Sequence, residues 1–346
     1  MARALKMSQV CGDPYEVVRL IHVEKPKPGP GEVLVHIMLR TVNLYDLLCV
    51  RIGHRPVSEF NGAAYNPGPG TENGVIPGTE GFGLVEEVGE GVTGFSIGQR
   101  VVPCLYAKYL STGTQGAWQD YVVVQEEEVY AISDSISDET AAQLVANPWT
   151  AYVLLKTIAA PKGEYVISTA AGSVVGRLII QLAKHWGIKT INIVRHDKYT
   201  EELKALGADF VINSSKEDVV AKVKEITNGK RAYGAVDAVA GELTKTITSA
   251  VRDEGEVWVY GVLSGYDIVV GVFDLARLVK VGWWILHRHT STVELRKEVG
   301  TEVIRLFDEK VWAPLSFGKK FKLEEFTTAF AEAETYNKRG KILLTS

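Results

Sequence analysis

Cysteine is scarce in this chain. Its 346 residues hold three, Cys11, Cys49 and Cys104, far apart and in no C-x-x-C pair. A structural zinc site built from neighbouring residues is not expected, and scattered thiols suit a reducing compartment. An excess of one charge is also missing. Thirty-eight Lys and Arg stand against 42 Asp and Glu, a net charge of −4, with no long block of one sign. That balance argues against a nucleic-acid footprint and against a charged disordered tail. Long apolar runs are absent too. The most apolar windows are broken by charge or glycine before the roughly 20 residues of a membrane span. The start, MARALKMSQ, lacks the apolar segment of a secretory signal. No repeat or low-complexity tract occurs. What remains is a chain that is 46% apolar and long enough for two domains of ordinary size.

The first part reads as β. Val17 to Val23 and Glu32 to Leu39 are rich in β-branched residues and are separated by the turn run Lys25 to Gly31. Gly83 to Val88, Val101 to Tyr106 and Tyr121 to Val124 repeat the pattern, which predicts a barrel-like antiparallel domain. The Gly/Pro/Asn-rich stretch Gly53 to Gly78 reads as a long loop, of a length expected to be functional or mobile. The character changes near Ile132. Ser137 is the expected N-cap of one helix from Asp138 to about Lys156. Strands are then expected at Tyr165–Ser168, Thr190–Val194, Phe210–Ile212, Val236–Val239 and Glu256–Tyr260. Helices are expected at Val174–Trp186, Glu201–Leu206 and Lys216–Thr227. This alternation predicts an α/β domain with a parallel sheet covered on both faces. After an amphipathic helix from Glu324 to Ala333, the strand Lys341–Thr345 is expected to rejoin the first domain. The resulting division is 1–130 with 305–346, and 131–304.

One motif carries chemistry. The strand Tyr165–Ser168 runs into Thr169-Ala170-Ala171-Gly172-Ser173 and then a helix. Small residues there let a pyrophosphate approach the backbone, and the helix start offers free N–H groups. Gly176 would let the helix pack closely on the sheet. The full G-x-G-x-x-G is not present, so a strand-turn-helix without a ligand is the plain alternative. The following strand ends at Val194-Arg195-His196-Asp197-Lys198. In a dinucleotide fold that end meets the adenosine ribose. A guanidinium grips a 2′-phosphate in bidentate fashion, so Arg195, with Lys198 beside it, selects NADPH. Asp197 argues weakly for NAD.

Further blocks extend the pattern: Pro30-Gly31-Glu32-Val33, Asn43-x-x-Asp46, Pro77-Gly78-Thr79-Glu80, Gly98 to Val102, Gly116-Ala-Trp118, Leu206 to Asp209 and Gly340-Lys341. Over nearly its full length the chain resembles the medium-chain dehydrogenases/reductases. Within them it is most similar to the 2-enoyl thioester reductases, through Asn147-Pro148-Trp149-Thr150-Ala151-Tyr152, Ser173-Val-Val-Gly176, Val194-Arg195, Tyr260-Gly261 and Gly282-Trp283-Trp284. The resemblance implies a Rossmann-type doubly wound parallel sheet plus a GroES-like antiparallel β-barrel domain, with NADPH in the cleft between them. It implies that Asn43, Asn147 and Thr150 lie near the nicotinamide. Ser173, Val174, Val175 and Gly176 would hold the pyrophosphate. Arg195, His196, Asp197 and Lys198 would surround the adenosine phosphate. Tyr260, Gly261, Val262 and Leu263 would line the nicotinamide side. Trp283, Trp284, Ile285 and Leu286 would cover it, and Lys341 would reach the cofactor.

Zinc-dependent members carry a ligating cysteine early and a Gly-His-Glu later. The matching stretches here, Val42-Asn43-Leu-Tyr-Asp46 and Gly78-Thr79-Glu80-Gly81, hold neither thiolate nor imidazole. A zinc-free reaction is therefore expected: reduction of an electron-poor C=C bond, whose negative charge moves to a carbonyl oxygen that needs only hydrogen-bond donors. The family's proton-donating tyrosine has no counterpart at its place, which holds His54. Tyr65 follows in the long loop and Tyr45 precedes it, so His54, Tyr65 and Tyr45 are the candidate donors. The pair His287 and His289 sits two residues apart, a spacing that splays rings on a helix and does not suit a metal. The expected substrate is a small molecule, carried on coenzyme A or acyl carrier protein. A quinone or alkenal reductase is the rival, and a non-catalytic NADPH-binding protein is a second. A homodimer is expected, without nucleic-acid or membrane partners. The cytoplasm is the expected location, or the mitochondrial matrix if a leader preceded residue 1.

Overall fold

The computed structural model describes residues 1–9, 11–52, 74–105, 115–335 and 340–346. The chain divides into two compact units, Met1–Ala146 with Thr290–Ser346, and Asn147–His289. Both divisions differ from those expected. Residues 131–146 and 290–304 belong with the first unit, and packing explains this. Buried Arg296 forms a bidentate pair with Glu128, its Nε donating at 2.9 and 3.0 Å. Gly300 lies against the Tyr130 ring, where a Cβ would come within 2.4 Å of a ring carbon. The change of character near Ile132 marks the end of a strand and not the end of a packing unit.

In the first unit, β1 (Ala2–Met7) and β2 (Val18–Val23) form a separate antiparallel pair. The larger sheet uses β3 (Glu32–Val42), β4 (Gly81–Val88), β5 (Arg100–Pro103), β6 (Tyr121–Gln125) and β7 (Val129–Ala131). In the second unit, the strands are β8 (Tyr165–Ser168), β9 (Lys189–Val194), β10 (Phe210–Asn213), β11 (Ala232–Asp237), β12 (Val251–Val259) and β13 (Lys280–Trp283). The chain then returns to the first unit with β14 (Phe317–Lys322) and β15 (Lys341–Thr345).

The first unit's larger sheet runs β14-β15-β3-β4-β5-β7, with β6 also on β3. It is antiparallel throughout except for β14 and β15, which pair in parallel. Alternation along β3 sends Val33, Val35 and Ile37 into one core with Val85, Val101, Val122 and Val124. The antiparallel pairing of β3 with β4 and β15 brings the end of β3 to the starts of the other two.

The second unit is a six-stranded parallel sheet in the order β10-β9-β8-β11-β12-β13. The strand order reverses between β8 and β11, and in such sheets ligands bind beyond the strand ends at that point. The helix Val174–Trp186 buries Val175, Leu178, Ile179 and Leu182, a stripe at helical spacing. It ends on Gly187 at φ +74°, a left-handed cap that glycine adopts without strain.

Several elements read from sequence change form or bounds: the strand expected at Val236–Val239 is Ala232–Asp237, and the helix expected from Glu324 starts at Phe326 after a 3-10 turn. The single helix expected from Asp138 is two, Asp138–Ala141 and one beginning at Ala146. Between them the amides of Val145 and Ala146 turn to the Glu80 carboxylate, at 3.0 and 2.7 Å. The helix expected at Lys216–Thr227 starts later, at Val219, because Asp218 caps it through the Ala221 amide. No helix among the described residues is long and apolar enough to cross a membrane.

Candidate functional site

In the second unit, the turn after β8 begins with Thr169, whose hydroxyl donates to buried Asp237 at 2.6 Å and accepts the Ala238 amide at 2.8 Å. Asp237, at the end of β11, also accepts from the Thr244 hydroxyl at 2.7 Å and the Val239 amide at 2.8 Å. The two strand ends at the switch point are thereby tied together. Ala170 then takes φ +46°, and Ser173 caps the following helix, accepting from the Gly176 amide at 3.1 Å. Val174 and Val175 occupy the first turn, where N–H groups have no acceptor inside the helix. A Cβ at Gly176 would come 2.6 Å from Ala171 Cα and O, and one at Gly172 would come 3.1 Å from the Tyr199 ring. The Arg177 side chain donates to Gly172 O at 3.0 Å. The turn is therefore rigid, narrow and rich in donors, which fits a pyrophosphate.

Past the end of β9, Arg195, His196, Asp197 and Lys198 are all exposed, and Asp197 opens a short 3-10 turn. Both Asp197 oxygens are engaged: Asn213 Nδ2 donates at 2.5 Å, and the Lys216 ammonium pairs with the other. Lys216 holds the Asp197 carboxyl below its ordinary range, with Asn213 assisting.

Tyr260 follows β12, and its amide donates to Asp237 O at 2.8 Å. Its hydroxyl is buried, with Ser173 as its polar neighbour, and burial beside Asp237 pushes the phenol well above its ordinary range. A Cβ at Gly261 would lie 2.6 Å from Ala238 O. Val262 is half-buried and Leu263 exposed. Trp283 is exposed on the edge strand β13. Trp284 is buried, stacked on His289 at 5.0 Å, and donates to Thr157 at 3.3 Å, so it is core. Ile285 and Leu286 are half-buried. Asn147 and Thr150 share one helix face, three residues apart. The Asn147 amide nitrogen is buried and has no hydrogen-bond partner among the described residues. A buried donor left unpaired is costly, and a bound group that accepts from it would remove that cost.

In the first unit, a polar cluster forms where β3, β4 and β15 meet. Asn43 follows β3, Glu80 precedes β4 and Lys341 opens β15. The Asn43 amide donates to Glu80 at 2.9 Å and to Thr41 at 2.9 Å, and its oxygen accepts from Lys341 Nζ at 2.6 Å. Asp46 accepts the Asn43 and Thr79 amides, each at 3.0 Å. Burial, with Glu80 nearby, pushes the Asp46 carboxyl up to about 7 despite those two amides. Burial also raises Glu80 and lowers Lys341, the latter against the pull of both acids. The cluster thus gathers an amine and two buried carboxyl groups, of which Asp46 titrates near neutral pH. The side-chain donors of Asn43 are committed within this cluster, and its oxygen holds the Lys341 ammonium. The Thr79 hydroxyl accepts from the Asn43 side-chain amide at 3.3 Å. Among the described residues no three His, Cys, Asp or Glu side chains meet as a metal would require.

Tyr45 is 47% exposed on the helix Leu44–Ile52, and Cys49, one turn on, is buried, which pushes its thiol up to about 12. His54 and Tyr65 lie outside the described residues. Sequence reasoning placed Thr169 and Arg177 in the turn motif without a role of their own and missed Tyr199, Asn213, Lys216 and Asp237. Tyr199 adjoins a motif already recognised, whereas Asn213, Lys216 and Asp237 reach the site only through strand order.

Comparison with known proteins adds the following. The family description "alcohol dehydrogenase GroES-like domain" matches residues 29–134, and "zinc-binding dehydrogenase" matches residues 174–307. The chain is similar to mitochondrial enoyl-[acyl-carrier-protein] reductases. That of Dictyostelium discoideum is 29% identical over 307 residues, 85% of each chain. That of Arabidopsis thaliana is 31% identical over 281 residues, 79% of this chain and 70% of the relative. Among solved structures it is similar to the quinone oxidoreductase of Pseudomonas syringae, with TM-score 0.82 and 29% identity, covering 100% of both chains. It is also similar to Escherichia coli quinone oxidoreductase complexed with NADPH, with TM-score 0.80 and 25% identity, again over 100% of both.

Proposed function

Because the chain belongs to the medium-chain dehydrogenase/reductase superfamily, we propose that it reduces the C=C bond of an α,β-unsaturated carbonyl with NADPH, the substrate being a 2-enoyl thioester on coenzyme A or acyl carrier protein. At the coarser level it is an oxidoreductase of that superfamily that uses NADPH. The observation that carries the cofactor assignment is the narrow turn Ala170–Gly176 followed, after β9, by Arg195 with Asp197 already engaged by Lys216 and Asn213. NADPH, when bound, supplies the hydride delivered to the β carbon.

The chain's own residues have the remaining tasks. Ser173, Val174, Val175 and Gly176 hold the pyrophosphate, while Arg195, His196 and Lys198 hold the 2′-phosphate. Asn147, Thr150, Tyr260, Gly261, Val262 and Leu263 orient the nicotinamide end, with Ile285 and Leu286 excluding water. The first unit's cluster works without zinc. Lys341, steadied by Asn43 and charged beside Asp46 and Glu80, supplies the cation. A hydrogen-bond donor suffices to stabilise an enolate oxygen. Tyr45, His54, Tyr65 or water returns a proton to the α carbon. A homodimer in the cytoplasm or mitochondrial matrix belongs to the same reading.

The thioester is favoured by the similarity to enoyl reductases and by Asn147-Pro148-Trp149. A quinone acceptor is favoured by the solved structures of quinone oxidoreductases and by His54 at the tyrosine's place. The test is NADPH oxidation by the purified full chain with crotonyl-CoA, a short enal and a naphthoquinone. The proposal expects the highest kcat/KM with the thioester. Preference for the quinone supports the rival, and binding of NADPH without turnover on any acceptor overturns both.

A further inference from the structure

The acid at the adenosine end of the second unit needs an account, because it opposes the cofactor proposed above. An acid near the end of this strand normally meets the ribose hydroxyls of an unphosphorylated dinucleotide and repels a 2′-phosphate. Asp197 is such an acid, three residues past β9, and it stands among Arg195, His196 and Lys198. Strand pairing shows what offsets it. Asn213, the last residue of β10, lies opposite Val194, the last of β9, and the Ser214 amide donates to Val194 O at 2.9 Å. The loop after β10 is thereby laid alongside the loop after β9. Asn213 Nδ2 reaches one Asp197 oxygen at 2.5 Å, and the Lys216 ammonium pairs with the other. The Asn213 amide is itself held by Glu217 at 2.9 Å, which fixes the start of this loop.

We infer that Lys216, together with Asn213, is a specificity determinant: it neutralises Asp197 and so permits the phosphorylated coenzyme at a site whose acid would otherwise select the plain one. The inference rests on the NADPH reading and deepens it. Lys216 and Asp197 are 67% and 55% exposed, and an ion pair that exposed contributes little to stability. Its effect falls instead on a doubly charged ligand group beside it. Removing Lys216 releases an acceptor-only carboxylate, which can bind ribose hydroxyls and repels phosphate.

The test is titration of the full chain with NADPH and with NADH at low ionic strength, for wild type, Lys216→Met, Asp197→Asn and the double variant. The NADPH-to-NADH affinity ratio is expected to fall about tenfold in Lys216→Met, the scale of one charge-assisted hydrogen bond. The double variant is expected to recover a ratio within about twofold of wild type, and the loss in the single variant should shrink as salt is added. A wild-type ratio near one overturns the NADPH reading and this inference with it. A wild-type preference that Lys216→Met leaves unchanged overturns this inference alone. A loss that persists in the double variant also overturns it, since Lys216 would then act on the phosphate directly.

Discussion

Lys341 Nζ donates to Asn43 Oδ1 across 2.6 Å, joining residues 298 positions apart in the chain. The bond exists because β15 pairs with β3, Ile342 lying opposite Val42. It places a cation in the same cluster as Asp46 and Glu80, two carboxylates buried to 0% exposure. Lys341→Met leaves those acids without their counter-charge. The expected result is a loss of at least about tenfold in kcat/KM, the scale of a lost charge-assisted contact. Stability should fall as well, and by more at pH 8 than at pH 5, because protonation at the lower pH relieves the stranded acids. Steady-state kinetics and thermal melts at the two pH values check this.

Asp46 carries a pH signature. Its folded value of about 7 lies above its ordinary 3.8, so between these limits the folded state binds the extra proton. The associated stability is complete below about pH 4 and is lost as the pH rises toward 7. Asp46→Asn removes that slope and also one of the two amide acceptors at this position. The variant should therefore be less stable than wild type, by an amount that is largest at acid pH and shrinks toward neutrality. Urea unfolding from pH 4 to 8 measures it, and a difference independent of pH counts against the assignment.

Gly176→Ala tests the cofactor turn. The added methyl would sit 2.6 Å from Ala171 Cα, which is backbone and cannot swing aside. Displacing the helix start is expected to cost about 1–3 kcal/mol of stability. NADPH affinity should weaken by about tenfold or more, as read by titration.

Asn147→Ala should separate stability from activity. The wild-type amide nitrogen is buried without a partner among the described residues, so its removal abolishes an unsatisfied donor. The variant is expected to melt at or above the wild-type temperature, yet to lose about tenfold in kcat/KM. Equal activity would mean that the amide never meets substrate or cofactor.

The second unit was largely legible in the sequence. Apolar strands at regular spacing gave β8 to β10 nearly residue for residue, and small residues from Ala170 to Gly176 marked the turn. Strands with weaker patterns were not legible. β13, Lys-Val-Gly-Trp, has no buried residue, and β14 is half lysine and largely exposed. The single helix expected from Asp138 was a plausible periodic run, but the acceptor that interrupts it, Glu80, lies 65 positions away from Val145. The same limit hid Lys216 and Asp237. Their roles come from the order of strands in the sheet, which local periodicity does not encode. Trp284 was legible as a large apolar side chain, but its burial against His289 and Thr157 depends on packing that its neighbours in sequence do not reveal.

The most direct measurement is a paired titration of wild type and Arg195→Gln with NADPH and with NADH. Wild type is expected to bind the phosphorylated coenzyme at least about tenfold more tightly, and Arg195→Gln to lose most of that margin while its NADH affinity stays the same. Equal affinity of the wild type for the two coenzymes, or binding of neither, would contradict the account.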